Sequence, residues 1–113
     1  SEGNRDFDIA WLILDDRTLY NRVGYYYGYQ TATDANLTSF DLNSNGYPNP
    51  YEWKFTMYRD YETKNQRVYA SQFHHFHDSL GGSSGSAMYV IRDGKRYVVG
   101  VNCAESIGSN PYN

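Results

Sequence analysis

The chain has 113 residues, of which 40% are hydrophobic and 20% charged, and its net charge is −3. This balance predicts a folded globular protein, and the lack of a basic cluster argues against a nucleic-acid partner. The longest apolar runs, 9–14 and 87–91, are far shorter than the roughly 20 residues that span a bilayer, so we expect no membrane segment.

Short β-strands separated by turns are predicted along the whole chain, with no helix. The predicted strands are 8–14, 22–30, 36–42, 53–59, 66–73, 87–92 and 96–102, and 43–50 is a predicted turn region. The first is an almost continuous apolar run, as expected of a strand buried on both faces. Asp93 and Gly94 between two apolar runs are the strongest local signal for a hairpin. This spacing predicts an all-β fold, an antiparallel barrel or sandwich.

Two features bear weakly on the cellular compartment. Asn36 begins the sequon N-L-T, which is glycosylated only in a eukaryotic secretory route. Cys103 is the only cysteine of the sequence. It is therefore either a buried thiol or the partner of a cysteine on another segment.

The Gly/Ser-rich segment 81–87, before the predicted hairpin, is the main candidate for catalysis. A nucleophilic serine needs a tight turn, small neighbours and nearby N–H donors for an oxyanion. Gly82 and Gly85 on either side of Ser84 meet the first two needs, because glycine adopts backbone conformations that other residues avoid. The N–H groups of Gly82 and Ser84 are candidates for the third. Taken alone, however, such a segment is more often a flexible turn.

Four short motifs follow one another along the chain. They are D-I-A at 8–10, G-Y-P at 46–48 with Trp53 after it, G-S-S-G-S-A at 82–87 with its flanks, and V-G-V-N at 99–102. In this order they resemble the trypsin-like (chymotrypsin-clan) serine peptidases, and within them the V8-like branch of the glutamyl endopeptidases. The resemblance covers residues 8 to about 105.

This resemblance implies a chymotrypsin-like pair of antiparallel β-barrels with the active site in the cleft between them. Residues 1–15 would supply the last strand of the first barrel with the catalytic Asp. Residues 16–113 would form most of the second barrel, incomplete at its C-terminal end, with the nucleophile and the substrate pocket. The rest of the first barrel and the catalytic His would come from a second polypeptide or a missing N-terminal segment.

The resemblance also implies a secreted serine endopeptidase without a cofactor, acting on a peptide or protein substrate. Ser84 would be the nucleophile and Asp8 would orient the imidazole, while Gly82 and Ser84 would form the oxyanion hole. The implied substrate-binding residues are Asp78, Ser79, Asn102, Cys103 and Ala104.

Two positions leave the substrate preference open. Asp78 lies six residues before Ser84, where trypsin-like enzymes place the carboxylate that binds Arg or Lys. Asn102 stands where glutamyl endopeptidases usually have a His that recognises the substrate carboxylate. We therefore expect a basic or relaxed preference rather than an acidic one. A Ser at position 83, in place of the Asp of the trypsin branch, argues against activation by a new N-terminus.

Three other interpretations compete with this one. Residues 41–52 match the EF-hand pattern, with candidate calcium ligands Asp41, Asn43, Asn45 and Glu52, but two prolines and strand-like flanks disfavour it. His75 and His77 would share one face of a strand as a possible metal pair. Without a third ligand, we expect solvent-facing or substrate-cleft imidazoles there. Finally, the chain could be a catalytically silent, peptidase-like binding module.

Overall fold

The computed structural model describes residues 8–49, 56–63, 67–75 and 81–103, whose regular elements are mostly β-strands, with two short helices. In chain order the elements are α1 (Thr18–Val23), β1 (Gly28–Tyr29), α2 (Asp34–Ser39), β2 (Leu42–Gly46), β3 (Tyr58–Thr63), β4 (Arg67–Val68), β5 (Phe73–His74), β6 (Ala87–Arg92) and β7 (Lys95–Val101). Within these ranges, no helix has the length and apolarity needed to cross a bilayer.

Five of the strands form one sheet in the order β1-β7-β6-β2-β3. The pairs β7–β6, β6–β2 and β2–β3 are antiparallel, whereas β1 pairs with β7 in parallel, with Gly28 opposite Tyr97. Strands β4 and β5 form a separate antiparallel pair. The predominance of strands agrees with the predicted all-β class. The strands of the described ranges do not close into a barrel, and the parallel pair departs from the purely antiparallel expectation.

The predicted hairpin at the end of the described chain is confirmed as β6 and β7. The register ends with Arg92 opposite Lys95, so the loop consists of Asp93 and Gly94 alone. Both loop residues have positive φ, 49° and 74°. A two-residue loop with this backbone matches the twist of the flanking strands.

The hydrophobic core lies between the central strands and the segments that flank them. Leu42 of β2 and Met88 and Val90 of β6 form its buried cluster, against which four partly buried side chains pack, namely Phe40, Phe73, Tyr97 and Val99. Tyr89 is also fully buried, but its ring faces Tyr27 at a centroid distance of 5.0 Å. Burial raises the pKa of the Tyr27 phenol above its ordinary value. Strand β6 is therefore covered on both faces at residues 88–90.

The buried strand predicted at 8–14 does not form in this structure, where no other barrel lies beside it among the described residues. The segment has no regular secondary structure, and Leu12 and Ile13 are 90% and 92% exposed. An apolar run forms a buried strand only when neighbouring strands supply hydrogen bonds and side chains to both faces. No strand in the described ranges pairs with this segment.

The prediction of a strand at 36–42 is also wrong, because most of that segment belongs to helix α2. Thr33 caps the helix, since its Oγ1 accepts a hydrogen bond from the N–H of Asn36 at 3.2 Å. Asp34 adds a negative charge to the first turn, where the helix dipole favours one. The sequon residue Asn36 thus lies on an exposed helix.

Three further strand predictions are right in part. In 22–30 only Gly28–Tyr29 is strand, because Gly24 ends helix α1 in the left-handed conformation. A turn closed by the N–H of Tyr69 and the carbonyl of Gln72 splits 66–73 into β4 and the start of β5. In the segment predicted as 53–59, β3 begins only at Tyr58, and 51–55 lie outside the described residues. The predicted turn region 43–50 begins instead inside β2.

Candidate functional site

The Gly/Ser-rich segment forms a tight turn directly before β6. The N–H of Ser86 donates to the carbonyl of Ser83 at 3.1 Å. Gly82 and Gly85 adopt φ values of 94° and 84°, which residues with a Cβ rarely adopt. Ser84 lies between these two glycines and is exposed. The turn therefore presents the Ser84 hydroxyl at the surface, as the sequence predicted for a nucleophile.

The end of β7 holds this turn in place. The N–H of Gly85 donates to the carbonyl of Asn102 at 2.7 Å, and the N–H of Asn102 donates to the carbonyl of Ser86 at 2.9 Å. These two bonds extend the β6–β7 pairing beyond the start of β6 and the end of β7. The last residue of the V-G-V-N motif, Asn102, is thus hydrogen-bonded to the turn at 81–86, which we call the serine turn.

The G-Y-P segment after β2 packs against the other side of the turn. The N–H of Asn49 donates to the carbonyl of Gly81. A Cβ added to Gly82 would lie 2.8 Å from the carbonyl oxygen of Tyr47 and 3.0 Å from the backbone nitrogen of Asn49. One added to Gly46 would lie 2.5 Å from Ser86 Oγ. The structure thus brings three of the four motifs into contact: G-Y-P, the serine turn and V-G-V-N.

Gly82→Ala and Gly85→Ala form a matched pair that tests this packing. A Cβ at Gly85 would meet no atom within 4 Å, so Gly85→Ala should lower the free energy of unfolding by only about 1–2 kcal/mol, from backbone strain. Gly82→Ala adds the contact with the G-Y-P backbone and should cost about 2–5 kcal/mol. Urea denaturation of both variants measures the difference. Equal losses would show that the segment at 47–49 does not press on the turn.

The backbone N–H groups of the turn are available as donors. Within the described ranges, neither the N–H of Gly82 nor that of Ser84 donates to a backbone carbonyl. An oxyanion hole requires N–H donors without another acceptor that point to the developing oxyanion. The two donors predicted from the sequence therefore remain compatible with that role.

Two buried polar side chains lie beneath the turn. Asn102 is 7% exposed and His75 is 4% exposed. The Nδ2 of Asn102 donates to the carbonyl of Ser83 at 3.2 Å, and His75 Nε2 lies 3.2 Å from Asn102 Oδ1. Of the two positions expected for this imidazole, facing solvent or facing the substrate cleft, the first is wrong for His75 and the second stays a prediction. Its distance of two residues from Phe73, which packs on the core, was the sequence signal for an inward-facing side chain.

The remaining predicted residues are not brought to the turn by any described contact. Asp8 is exposed, and no hydrogen bond of the described residues joins it to Ser84. Cys103, next to Asn102, is a half-buried free thiol. The other predicted substrate contacts lie outside the described residues: Asp78, Ser79 and Ala104.

Part of the segment that matches the EF-hand pattern is a β-strand, whereas an EF-hand needs a loop there. Asn43 and Asn45 belong to β2. The Oδ1 of Asn43 accepts from Arg59 Nη2 at 2.7 Å, and the Oδ1 of Asn45 accepts from the Tyr89 hydroxyl at 3.0 Å. Asp41 is exposed, and Glu52 lies outside the described residues. Both amide oxygens thus have protein partners.

The proposed histidine pair is equally unsupported as a metal site. His77 lies outside the described residues, and the ring of His74 packs on Tyr69 at a centroid distance of 4.7 Å. In the part of the chain that the structure describes, no group of three or more His, Cys, Asp or Glu side chains is placed to hold a metal ion.

Comparisons with protein-family models, with curated proteins and with solved structures find no match for this chain. The peptidase interpretation therefore depends on the motifs and on the geometry that joins three of them.

Proposed function

We propose that this chain is the nucleophile-bearing part of a serine endopeptidase, which hydrolyses peptide bonds through an acyl-enzyme on Ser84. The observation that carries the proposal is the exposed position of Ser84 between two glycines of positive φ, in a turn held by the G-Y-P segment and the end of β7. A flexible linker of the same composition would need neither the close packing at Gly82 nor the bonds to Asn102. These contacts favour a turn that positions a nucleophile over a turn that only connects two strands.

The proposed reaction has two halves. Ser84 Oγ attacks the substrate carbonyl carbon as its proton passes to the imidazole, and the N–H groups of Gly82 and Ser84 stabilise the oxyanion. The C–N bond then breaks, and the imidazolium returns the proton to the leaving amine. Water attacks the acyl-enzyme by the same route and releases the acid. The exposed carboxylate of Asp8 would accept the second ring N–H of that imidazole.

The fold that suits this function is the chymotrypsin-like double barrel, with the catalytic His on a second polypeptide or a further segment. Residues 8–14 would then be the last strand of the first barrel. The exposure of Leu12 and Ile13 supports this, because an exposed apolar run is typical of a surface that contacts another polypeptide or domain. Secretion, which the exposed sequon at Asn36 would suit, is part of the same proposal.

The direction of the Asn102 amide bears on the substrate class. This side chain is buried and engages Ser83 and His75, so it is not turned outward to receive an acidic substrate side chain. We therefore favour a basic or relaxed preference, with Asp78 as the pocket carboxylate. Because the backbone N–H and carbonyl of Asn102 bond to Ser86 and Gly85, pairing with the substrate backbone would fall to residues 103 and 104.

Covalent labelling tests the proposed nucleophile. Mass spectrometry after treatment with a fluorophosphonate should locate the adduct on Ser84, because only an activated serine reacts readily with this reagent. Ser83 and Ser86 serve as internal controls within the same turn and should stay unmodified. A preparation that cleaves peptides while its label sits on another residue would contradict the proposal.

A catalytically silent binding module is the second candidate. It is favoured by one observation: His75 Nε2 contacts Asn102, and no imidazole of the described residues hydrogen-bonds Ser84. Binding of peptides without hydrolysis, and without any fluorophosphonate adduct, would favour this module over the enzyme.

A further inference from the structure

Asn102 contacts the serine turn on both sides of Ser84. Its backbone carbonyl accepts from Gly85 at 2.7 Å and its backbone N–H donates to Ser86 at 2.9 Å. Its side-chain Nδ2 donates to the carbonyl of Ser83 at 3.2 Å. The residue before Ser84 is thus held by the amide side chain and the residues after it by the backbone, so one residue restrains the whole turn.

The carbonyl of Ser83 fixes which way the Asn102 amide points, because a carbonyl can only accept and so requires the Nδ2 of Asn102. His75 must then donate to the Oδ1 at the other end of the amide. Because Asn102 Oδ1 can only accept, the contact at 3.2 Å requires a proton on His75 Nε2. When Oδ1 of Asn102 faces His75, the Nδ2 at the other end of the amide faces the carbonyl of Ser83. A flipped amide would place two acceptors together at Ser83, and two donors together at His75 while the imidazole keeps its proton on Nε2. Both side chains are buried, where unpaired polar atoms are costly.

We infer that Asn102 and His75 are positioning residues, which act through the backbone of the turn to hold the hydroxyl and N–H of Ser84 in reactive geometry. The inference depends on the proposed peptidase function for its catalytic consequence. It also gives Asn102 a different role from the substrate contact that the sequence predicted. Neither residue touches the reacting atoms, so both are expected to change the reactivity of Ser84 without changing where the label goes.

Labelling kinetics of the chain, together with any polypeptide that copurifies with it, test the inference. Asn102→Leu, which keeps the backbone bonds and removes the amide, should slow fluorophosphonate labelling of Ser84 about tenfold, as expected when the hydrogen bond that reaches the turn, from Nδ2 to the carbonyl of Ser83, is lost. His75→Phe should give a similar loss. His75→Gln, which restores an N–H donor, should recover most of the rate. His74→Phe, at the adjacent half-buried histidine, is the matched control and should change the rate little.

Two further measurements do not depend on activity. Nitrogen NMR of the wild-type protein should find the His75 proton on Nε2, and a proton on Nδ1 alone would overturn the inference. The Gly85 and Ser86 amides should exchange hydrogen about tenfold faster in Asn102→Leu. Unchanged exchange, or equal slowing by His75→Phe and His74→Phe, would also overturn it. Absence of any wild-type label on Ser84 would instead contradict the peptidase, while the exchange data still decide whether Asn102 restrains the turn.

Discussion

Ser84→Ala is expected to lower the rate of peptide hydrolysis at least about a thousandfold, because no other group replaces a lost nucleophile. The substitution removes one hydroxyl from an exposed side chain. It leaves the positive-φ glycines and the bonds to Asn102 in place. The loss should therefore appear in kcat, with KM and the free energy of unfolding little changed. Steady-state hydrolysis of a peptide library, combined with thermal unfolding, measures both.

Ser83→Ala is the matched control for this experiment. Ser83 contributes its backbone carbonyl to the turn, through the bonds from Ser86 and from the Asn102 amide. Removing its hydroxyl should therefore leave hydrolysis nearly unchanged. If Ser83→Ala abolished activity and Ser84→Ala did not, the nucleophile would be the neighbouring serine and the assignment would be wrong.

Local signals predicted the parts of the fold that local physics decides. The Asp93-Gly94 pair identified the β6–β7 hairpin because its left-handed backbone admits few other structures. The cap at Thr33 was equally local, since an N-cap residue followed by an acidic first turn is readable in the sequence. The prediction did not include it and assigned 36–42 to a strand, wrongly.

Tertiary structure decided the rest. Residues 8–14 have the composition of a buried strand, but burial depends on partners that composition cannot supply, and their side chains are exposed. The parallel pairing of β1 with β7 depends on where two distant segments meet. The contact between Asn102 and His75 joins residues 27 apart in sequence. No short-range pattern encodes such a pair.

In the candidate site, too, local features were predicted and contacts between distant segments were not. The glycines around Ser84 were predicted from residue type, because a positive φ at Gly82 and Gly85 is a property that glycine alone supplies readily. The packing of Tyr47 and Asn49 against Gly82 was not predicted, because it joins segments that are distant in the sequence. The inward position of His75 was not predicted, because the histidines near it were expected to face solvent or the substrate cleft.

The last prediction is that the active enzyme contains a further polypeptide, or a further segment, that carries the catalytic His. The chemical argument is that Ser84 without a base is a weak nucleophile, and losing the base costs several orders of magnitude in rate. Among the described residues, no imidazole hydrogen-bonds Ser84. The structural argument is the exposure of Trp11, Leu12 and Ile13, at 73%, 90% and 92%. Covering such a run stabilises an assembly by about 1.5–3 kcal/mol for each large apolar side chain.

Native mass spectrometry of the active species should therefore give a mass above that of these 113 residues, and N-terminal sequencing should identify the additional component. Leu12→Asp should weaken the association and lower activity, since it places a charge in the proposed contact. Val23→Asp, at an apolar residue of helix α1 that is 62% exposed, is the control and should leave the assembly intact. If the partner can be removed, the rate should fall by several orders of magnitude and return when it is added back. A stably folded species that contains only these 113 residues and hydrolyses peptides at full rate would refute the prediction.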